Sequence, residues 1–280
     1  VINKAAADAA LRGLAMGDCF GGTWFRRRFV PGELKVGPWR RTDDTAMAVV
    51  LLGMLEGRGE VDQDALAVGF AEAYARDPYR QYGAGMHDVL PALGDGEAWA
   101  EVTARQFGGQ GSWGNGAAMR VAPLGAWFAG DLNRCAYEAA RSAQVTHAHP
   151  EAAAGAVAVA LAAALNVESA LSLHAIAERV TEGDIGRRLR VVAELGADVR
   201  PIEVVGEVGS GRRMSAADTV PFALWCAARH PDDLEAALWA TASGRGDVDT
   251  TCAITGGVVG ARTGVAGLPA FWLAAAEPAR

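Results

Sequence analysis

The sequence predicts an all-α fold, a single compact multi-helix domain over residues 1–280. Three observations point there. Ala is abundant and runs of β-branched residues are scarce, a composition that favours helix over strand. Apolar residues recur at helical spacing along nearly the whole chain. Strand patterns do not alternate with helical ones, which disfavours a doubly wound α/β sheet. At 29.1 kDa the chain is long enough to bury a substantial core without disulfides or structural metals.

The helical patterns run, in order, over Lys4 to Met16, Asp44 to Leu55, Asp62 to Arg76, Gly85 to Leu93 and Glu97 to Gln106. They continue over Asn115 to Phe128, Leu132 to Val145, Pro150 to Leu165, Glu168 to Val180 and Gly186 to Leu195. The last are Ser215 to Arg229, Leu234 to Ala242 and Thr250 to Arg262. Pro150 suits the first position of its helix, where the missing N–H costs nothing. The run Ala152 to Leu165 is almost wholly apolar but shorter than the roughly 20 residues that span a bilayer, so it reads as a core helix. The one strand candidate is Ile202 to Val205, after Pro201, and a single short strand makes no sheet. Glycine-rich stretches separate helices at Gly17 to Gly22, Gly108 to Gly116 and Gly244 to Gly246. Helix N-termini beside such loops offer free N–H groups and favour anions.

A net charge of −7 and a pI of about 5.3 argue against general nucleic-acid binding, which needs a basic footprint. Cys19, Cys135, Cys226 and Cys252 form no CxxC pair or Cys/His cluster, so they read as buried thiols. Val1 to Ala10 lacks a charged stretch followed by an apolar one. The expected setting is soluble and cytoplasmic, with no membrane partner. Arg26-Arg27-Arg28 reads as a solvated basic run, and Arg245-Gly246-Asp247 as an adhesion tripeptide without a use in that setting. Ser112 and Ser210 lack the context of an esterase nucleophile, and there is no Walker A loop.

Two acidic clusters stand out. Thr42-Asp43-Asp44-Thr45 precedes one apolar helix, and Asp247-Val248-Asp249-Thr250-Thr251 opens another. An Asp or Thr at such a place is ordinarily an N-cap, which accounts for one residue in each cluster. Paired carboxylates flanked by hydroxyls also suit hard divalent cations such as Mg²⁺ or Mn²⁺, and two facing clusters would suit two ions. On the residues alone, cap and metal ligand are equally good readings. Gly109 to Gly114 spells G-x-G-x-x-G, but a helical pattern precedes it, so the dinucleotide reading fails. A loop that lets backbone approach a ligand is the better one, with Trp113 as a flat face for a base or ribose. The alternative is a plain helix connection with a buried Trp. Thr146-His147-Ala148-His149 sits at a helix start and reads as a capping turn, or as a polar contact to a ligand; no further zinc-type ligand is near in sequence.

Together these stretches resemble the ADP-ribosylglycohydrolase family. The matching pieces are Gly13 to Gly21, Thr42 to Thr45, Gly114 to Gly125, Thr146-His147, Thr219 to Leu224 and Gly246 to Thr250, in the family's order and across nearly the whole chain. The resemblance implies an all-helical fold with two divalent cations, Mg²⁺ or Mn²⁺. By position the ligands would be Thr42, Asp43, Asp44, Asp247, Asp249 and Thr250. Gly111, Ser112, Trp113, Gly114, Asn115 and His147 would hold ADP-ribose, and Trp113 stands where relatives often have Tyr. Asp18 would support the loop architecture. Asp43 or Asp44 would act on water in cleaving the glycosidic bond at C1″ of an ADP-ribosyl group. Two departures accompany the match. Many relatives carry a glutamate a few residues after the Gly-Asp pair, whereas Cys19 to Pro31 holds no acidic residue and Glu33 is the first. Arg40 and Arg41 also precede Thr42, where Trp is usual. The missing glutamate motivates a second reading, an ADP-ribose binder without catalysis; a two-metal phosphate-ester hydrolase is a third.

Overall fold

A computed structural model describes residues 2–25, 27–169, 171–196 and 198–280. Among them the protein is built of α-helices and contains no strand, only isolated bridges between Trp39 and Ala276 and between Gly114 and Ser215. In chain order the helices are α1 (Lys4–Gly22), α2 (Asp43–Arg58), α3 (Gln63–Arg76), α4 (Met86–Gly94), α5 (Trp99–Ala104) and the short turn α6 (Gln106–Gly109). Then come α7 (Ala122–Trp127), α8 (Leu132–Gln144), α9 (Pro150–Glu168), α10 (Leu173–Arg179) and α11 (Gly183–Glu194). The last are α12 (Pro201–Val208), α13 (Ala216–Arg229), α14 (Leu234–Ser243), α15 (Val248–Thr263) and α16 (Ala270–Ala275). The all-α expectation holds.

The centre of the molecule is the antiparallel pair α1 and α15. Gly13, Gly17 and Gly21 recur every four residues and so share one face of α1. A Cβ at Gly13 would strike the Gly256 carbonyl and lie 2.7 Å from Gly260 Cα. One at Gly17 would strike the Cys252 carbonyl, and one at Gly21 would lie 2.6 Å from Asp249 Cα. Side chains normally hold helix axes 8–10 Å apart; here backbone meets backbone. α7, α9, α13 and α14 pack around this pair. α9 is nineteen residues long, apolar enough by length and composition to cross a membrane, and its Ala152 to Asn166 stretch is largely buried against α7, α8, α13 and α15.

Four expectations are corrected. Gly17 to Gly22 does not separate helices but forms the last part of α1, where Gly17 and Gly21 meet the backbone of α15. Ile202 to Val205 is not a strand but part of α12. Pro201 sits in its first turn, Glu203 accepts the Arg200 N–H at 2.9 Å, and Val204 and Val208 share the face buried against Phe222 and Trp225. Those are start signals and spacing of a helix, and they outweigh the strand preference of valine. The pattern from Asn115 to Phe128 breaks into a 3₁₀ turn, Asn115–Ala117, and α7; Pro123 stands in the first turn of α7, where its missing N–H leaves no helical bond unmade. The pattern from Glu168 to Val180 is likewise two pieces: α9 ends at Glu168, and α10 starts anew with Ser172 Oγ accepting the Ala175 N–H at 3.2 Å. α16 has no counterpart among the helices expected from the sequence. The thiols of Cys19, Cys135, Cys226 and Cys252 are free and buried.

Substituting Gly17→Ala should lower the stability to urea by about 1–3 kcal/mol, because two helix backbones must part to admit the methyl group. An unchanged unfolding midpoint would mean that this contact is not the constraint described.

Candidate active site

The antiparallel pairing sets the C-terminal half of α1 beside the first turn of α15, and α2 begins against the same place. Asp18, on α1, is wholly buried and binds the start of α2 from below. Its carboxylate accepts the Thr42 N–H at 2.8 Å, the Thr45 N–H at 3.2 Å and the Thr45 hydroxyl at 2.5 Å. Thr42 is the N-cap: its hydroxyl oxygen accepts the Asp44 N–H at 3.3 Å and lies 2.9 Å from both Asp18 Oδ1 and Asp44 Oδ2. With that role taken, neither Asp43 nor Asp44 is needed as a cap. At α15, Asp247 occupies the N-cap position but makes no side-chain cap; its Oδ2 instead accepts from Asn115 Nδ2 at 2.7 Å.

Asp43, Asp44, Asp247, Asp249 and Thr250 line one cleft of about 520 Å³, within the usual size of small-ligand sites. Burial pushes the Asp43 and Asp44 carboxyls well above the ordinary carboxylate range, and the neighbouring carboxylates push them further. Asp18 rises to about 6 and Asp247 to about 7, burial being the first cause in each. So many acids share little water that they resist ionising together.

The other end of the cleft is the glycine loop. Gly111 has φ +75°, and a Cβ there would lie 2.8 Å from His149 N. Trp113 O accepts the Ala216 N–H at 3.0 Å, and Asn115 N donates to Met214 O at 3.0 Å, so the loop is pinned to the start of α13. Asn115 Nδ2 reaches Thr219 Oγ1 at 3.0 Å as well as Asp247, tying this loop to the acidic end. Trp113 is 37% exposed and stands 4.7 Å from the Phe107 ring, centroid to centroid. Phe107 lies in the cleft wall at φ +48°. His147 is buried beneath Gly114 and Gly116, and burial lowers its pKa to about 3, helped by the nearby Arg120.

The third wall is Gln81 to Met86. Asp43 N donates to Arg80 O at 2.7 Å, which ties this wall to the start of α2. Arg80 in turn forks onto Glu277 with two contacts of 2.8 Å, and Glu277 also accepts Arg41 N and Nε at 3.3 Å each.

Thus Asp43, Asp44, Asp247, Asp249, Thr250, Ser112, Trp113, Gly114, Asn115 and His147 all line the one cleft. Thr42 and Gly111 do not: Thr42 is turned inward to Asp18, and Gly111 shapes the loop from behind. His149 is the N-cap of α9, its Nδ1 accepting the Glu151 N–H at 3.1 Å. Ser210 belongs to the frame, its carbonyl accepting Asp247 N–H at 3.0 Å. Glu33 is exposed and outside the cleft; Phe25 is one of the residues that line it. Arg27 and Arg28 are exposed, and Arg26 lies outside the described residues. Sequence reasoning missed Phe25, Gln81, Tyr82 and Phe107. Phe107 had one local signal, the Gly108-Gly109 pair that ends the helix next to it.

Among the described residues, no three carboxylate, imidazole or thiol groups stand ready-gathered for an ion. In kind, the donors nevertheless fit a hard divalent cation. They are all oxygen, and Asp44 Oδ1 is buried with no hydrogen-bond partner among the described residues.

Comparison with known proteins decides the family. The family model for ADP-ribosylglycohydrolase matches residues 3–279. The chain belongs to the ADP-ribosylglycohydrolase family. It is therefore a hydrolase acting on glycosyl bonds, which sets aside the phosphate-ester reading. It is 32% identical to mouse ADP-ribosylhydrolase ARH3, over 88% of this chain and 76% of that protein. An uncharacterized protein of Archaeoglobus fulgidus is 32% identical over 88% of this chain and 79% of its own length. A solved chain titled ADP-ribosylglycohydrolase-related protein complex superposes with a TM-score of 0.70 at 27% identity, covering 98% of this chain and 93% of that one.

The raised carboxyls give a signed pH prediction. Groups such as Asp18 (about 6) and Asp247 (about 7) bind protons more tightly folded than unfolded. Their contribution is therefore fullest at low pH and is lost as pH rises through about 6 to 7. In EDTA the melting temperature should fall between about pH 5.5 and 8, and Mg²⁺ should reduce that fall. A melting temperature that climbs over this range in EDTA would contradict the assignment.

Proposed function

We propose that the protein hydrolyses the bond at C1″ of an ADP-ribosyl group and releases ADP-ribose, in a reaction dependent on Mg²⁺ or Mn²⁺. The observation that carries this is the joining of a five-residue oxygen cluster and an aromatic-glycine loop in one cleft. The distal ribose lies against Asp43, Asp44, Asp247, Asp249 and Thr250. The diphosphate crosses Ser112 to Asn115, where glycines admit close approach. Trp113 and Phe107, 4.7 Å apart and tilted by 42°, offer the base an aromatic surface.

Asp43, Asp44, Asp247, Asp249 and Thr250 would hold the two cations, with Thr42 acting through Asp44. When bound, the ions supply positive charge that keeps these carboxylates ionised and fixes the ribose hydroxyls. Asp43 or Asp44 accepts a proton from the attacking water. The water oxygen forms the new bond to C1″ as the bond to the acceptor breaks, and the leaving atom gains a proton. The transition state is oxocarbenium-like, and the oriented ribose reaches it without a search. The fourfold acidity of this end also favours a ring that is gaining positive charge.

The test is release of ADP-ribose from ADP-ribosylated arginine, ADP-ribosylated serine and O-acetyl-ADP-ribose, followed by chromatography with Mg²⁺, Mn²⁺ or EDTA. Turnover is expected with metal and not in EDTA. Asp44→Asn should lower kcat by about 10²-fold or more, and Trp113→Ala should raise KM about tenfold through lost stacking. An Asp44→Asn protein with full turnover removes Asp44 from the mechanism. Metal-independent binding of ADP-ribose with no turnover on any of these substrates would overturn the proposal.

A further inference from the structure

Behind the glycine loop lies a buried cation that the reaction does not use. Arg120 is 0% exposed. Its guanidinium donates to Gly116 O at 3.2 Å, to Ser142 O at 2.9 Å and to Thr146 Oγ1 at 2.9 Å, and it covers the Phe70 ring at 4.4 Å. Burial pushes it down to about 9, which leaves it charged at neutral pH. A guanidinium has donors and no acceptor, so Thr146 Oγ1 is an acceptor in this pair.

The same Thr146 oxygen lies 2.8 Å from His147 Nδ1. Thr146 is fully buried, and Arg120 and His147 are its hydroxyl's partners among the described residues. Two arrangements are conceivable. If Nδ1 carried the proton, the hydroxyl would accept from both sides and its own O–H would be buried without an acceptor, a cost of about 1–3 kcal/mol. If the hydroxyl donates to Nδ1, both the Thr146 hydroxyl and the ring nitrogen facing it are paired; only Arg120 Nε, which has no partner among the described residues, is left over in either arrangement. The row then has one direction, from Arg120 through Thr146 to Nδ1, and the ring proton sits on Nε2.

Nε2 is the edge turned toward Gly114 and Gly116, two residues of the cleft wall. Ideal Cβ positions at Gly114 and Gly116 both fall 3.1 Å from it, and at Gly114 the Ser112 hydroxyl is also 3.2 Å away. Gly114 N donates to Ser112 Oγ at 3.2 Å, so the Ser112 proton is left to point elsewhere. Two donors thus converge over a glycine that has no side chain to fill the space.

We propose that Arg120 is a positioning residue for His147: acting through Thr146, it fixes the imidazole as the neutral Nε2–H tautomer and makes it a hydrogen-bond donor to an acceptor oxygen of the ligand. The ligand's identity as ADP-ribosyl rests on the function proposed above; the direction of the row does not.

The test uses the full chain with ¹⁵N-labelled histidine. Two-bond ¹H–¹⁵N correlation spectra report which ring nitrogen is protonated, and His147→Gln identifies the His147 signals. Wild-type protein without ligand should show the proton on Nε2 alone; a proton on Nδ1 overturns the proposal. Thr146→Val, which keeps the shape and removes the hydroxyl, should shift the Nδ1 signal toward that of a nitrogen without a hydrogen bond. It should also weaken ADP-ribose binding about tenfold by calorimetry, and Thr146→Ser should restore both. Unchanged affinity in Thr146→Val overturns the positioning role. Wild-type protein that binds no ADP-ribose would count against the functional reading instead, while the tautomer in the free protein still decides the direction of the row.

Discussion

The backbone contact between α1 and α15 is the constraint on which the site depends. Three glycines on one helix and Gly256 and Gly260 on the other leave no side chain between the two. That closeness determines more than stability. Asp18 lies on α1 between Gly17 and Gly21, and Asp249 is the residue whose Cα meets Gly21. Any separation of the helices therefore moves Asp18, which holds the start of α2, away from the start of α15. The two acidic helix beginnings face each other because glycine lets their supports touch.

Helix beginnings suit this purpose physically. Their free N–H groups and the positive end of the helix dipole favour carboxylates nearby. The structure uses Thr42 for capping and Asp18 for buttressing, so Asp43 and Asp44 keep oxygen atoms in reserve. The cost is visible in the raised carboxyls: burial and mutual repulsion work against ionisation in the free chain. A site that strains against its own charge is one that a cation relieves.

Much of this was legible in the sequence, and the limits have physical causes. Helix type and order could be read because alanine-rich amphipathic patterns are local. The two Asp clusters could be seen, but whether their members cap or reach the cleft could not, since capping depends on which oxygen the backbone turns inward. Thr42 and Asp44 are two residues apart and share a hydrogen bond, yet Asp44 lines the cleft and Thr42 does not. The strand assigned to Ile202–Val205 failed because Val204 and Val208 pack at helical spacing on α13, a contact 14 or more residues away in sequence. Phe25 and Tyr82 were invisible because nothing local distinguishes a cleft-lining aromatic residue from a core one.

Arg41 illustrates the last step from sequence oddity to structural role. Beside Thr42 it looked out of place. In the fold it and Arg80 converge on Glu277, a residue 236 positions away from Arg41. The C-terminal segment lies alongside the chain before α2: Trp39 N donates to Ala275 O at 2.7 Å, and Glu277 N to Trp39 O at 2.9 Å. Partly exposed ion pairs add little to stability on their own. Their value here is geometric, because Glu277 holds two like charges that would otherwise part. Arg80 O takes the Asp43 N–H, and the next residue, Gln81, sits at φ +66°, a conformation unfavourable to a side chain unless its neighbours hold it. The carboxylate of Glu277 thus fixes the distance between the start of α2 and the wall that carries Gln81 and Tyr82. That wall of the acidic cleft is braced from behind by a residue far along the chain.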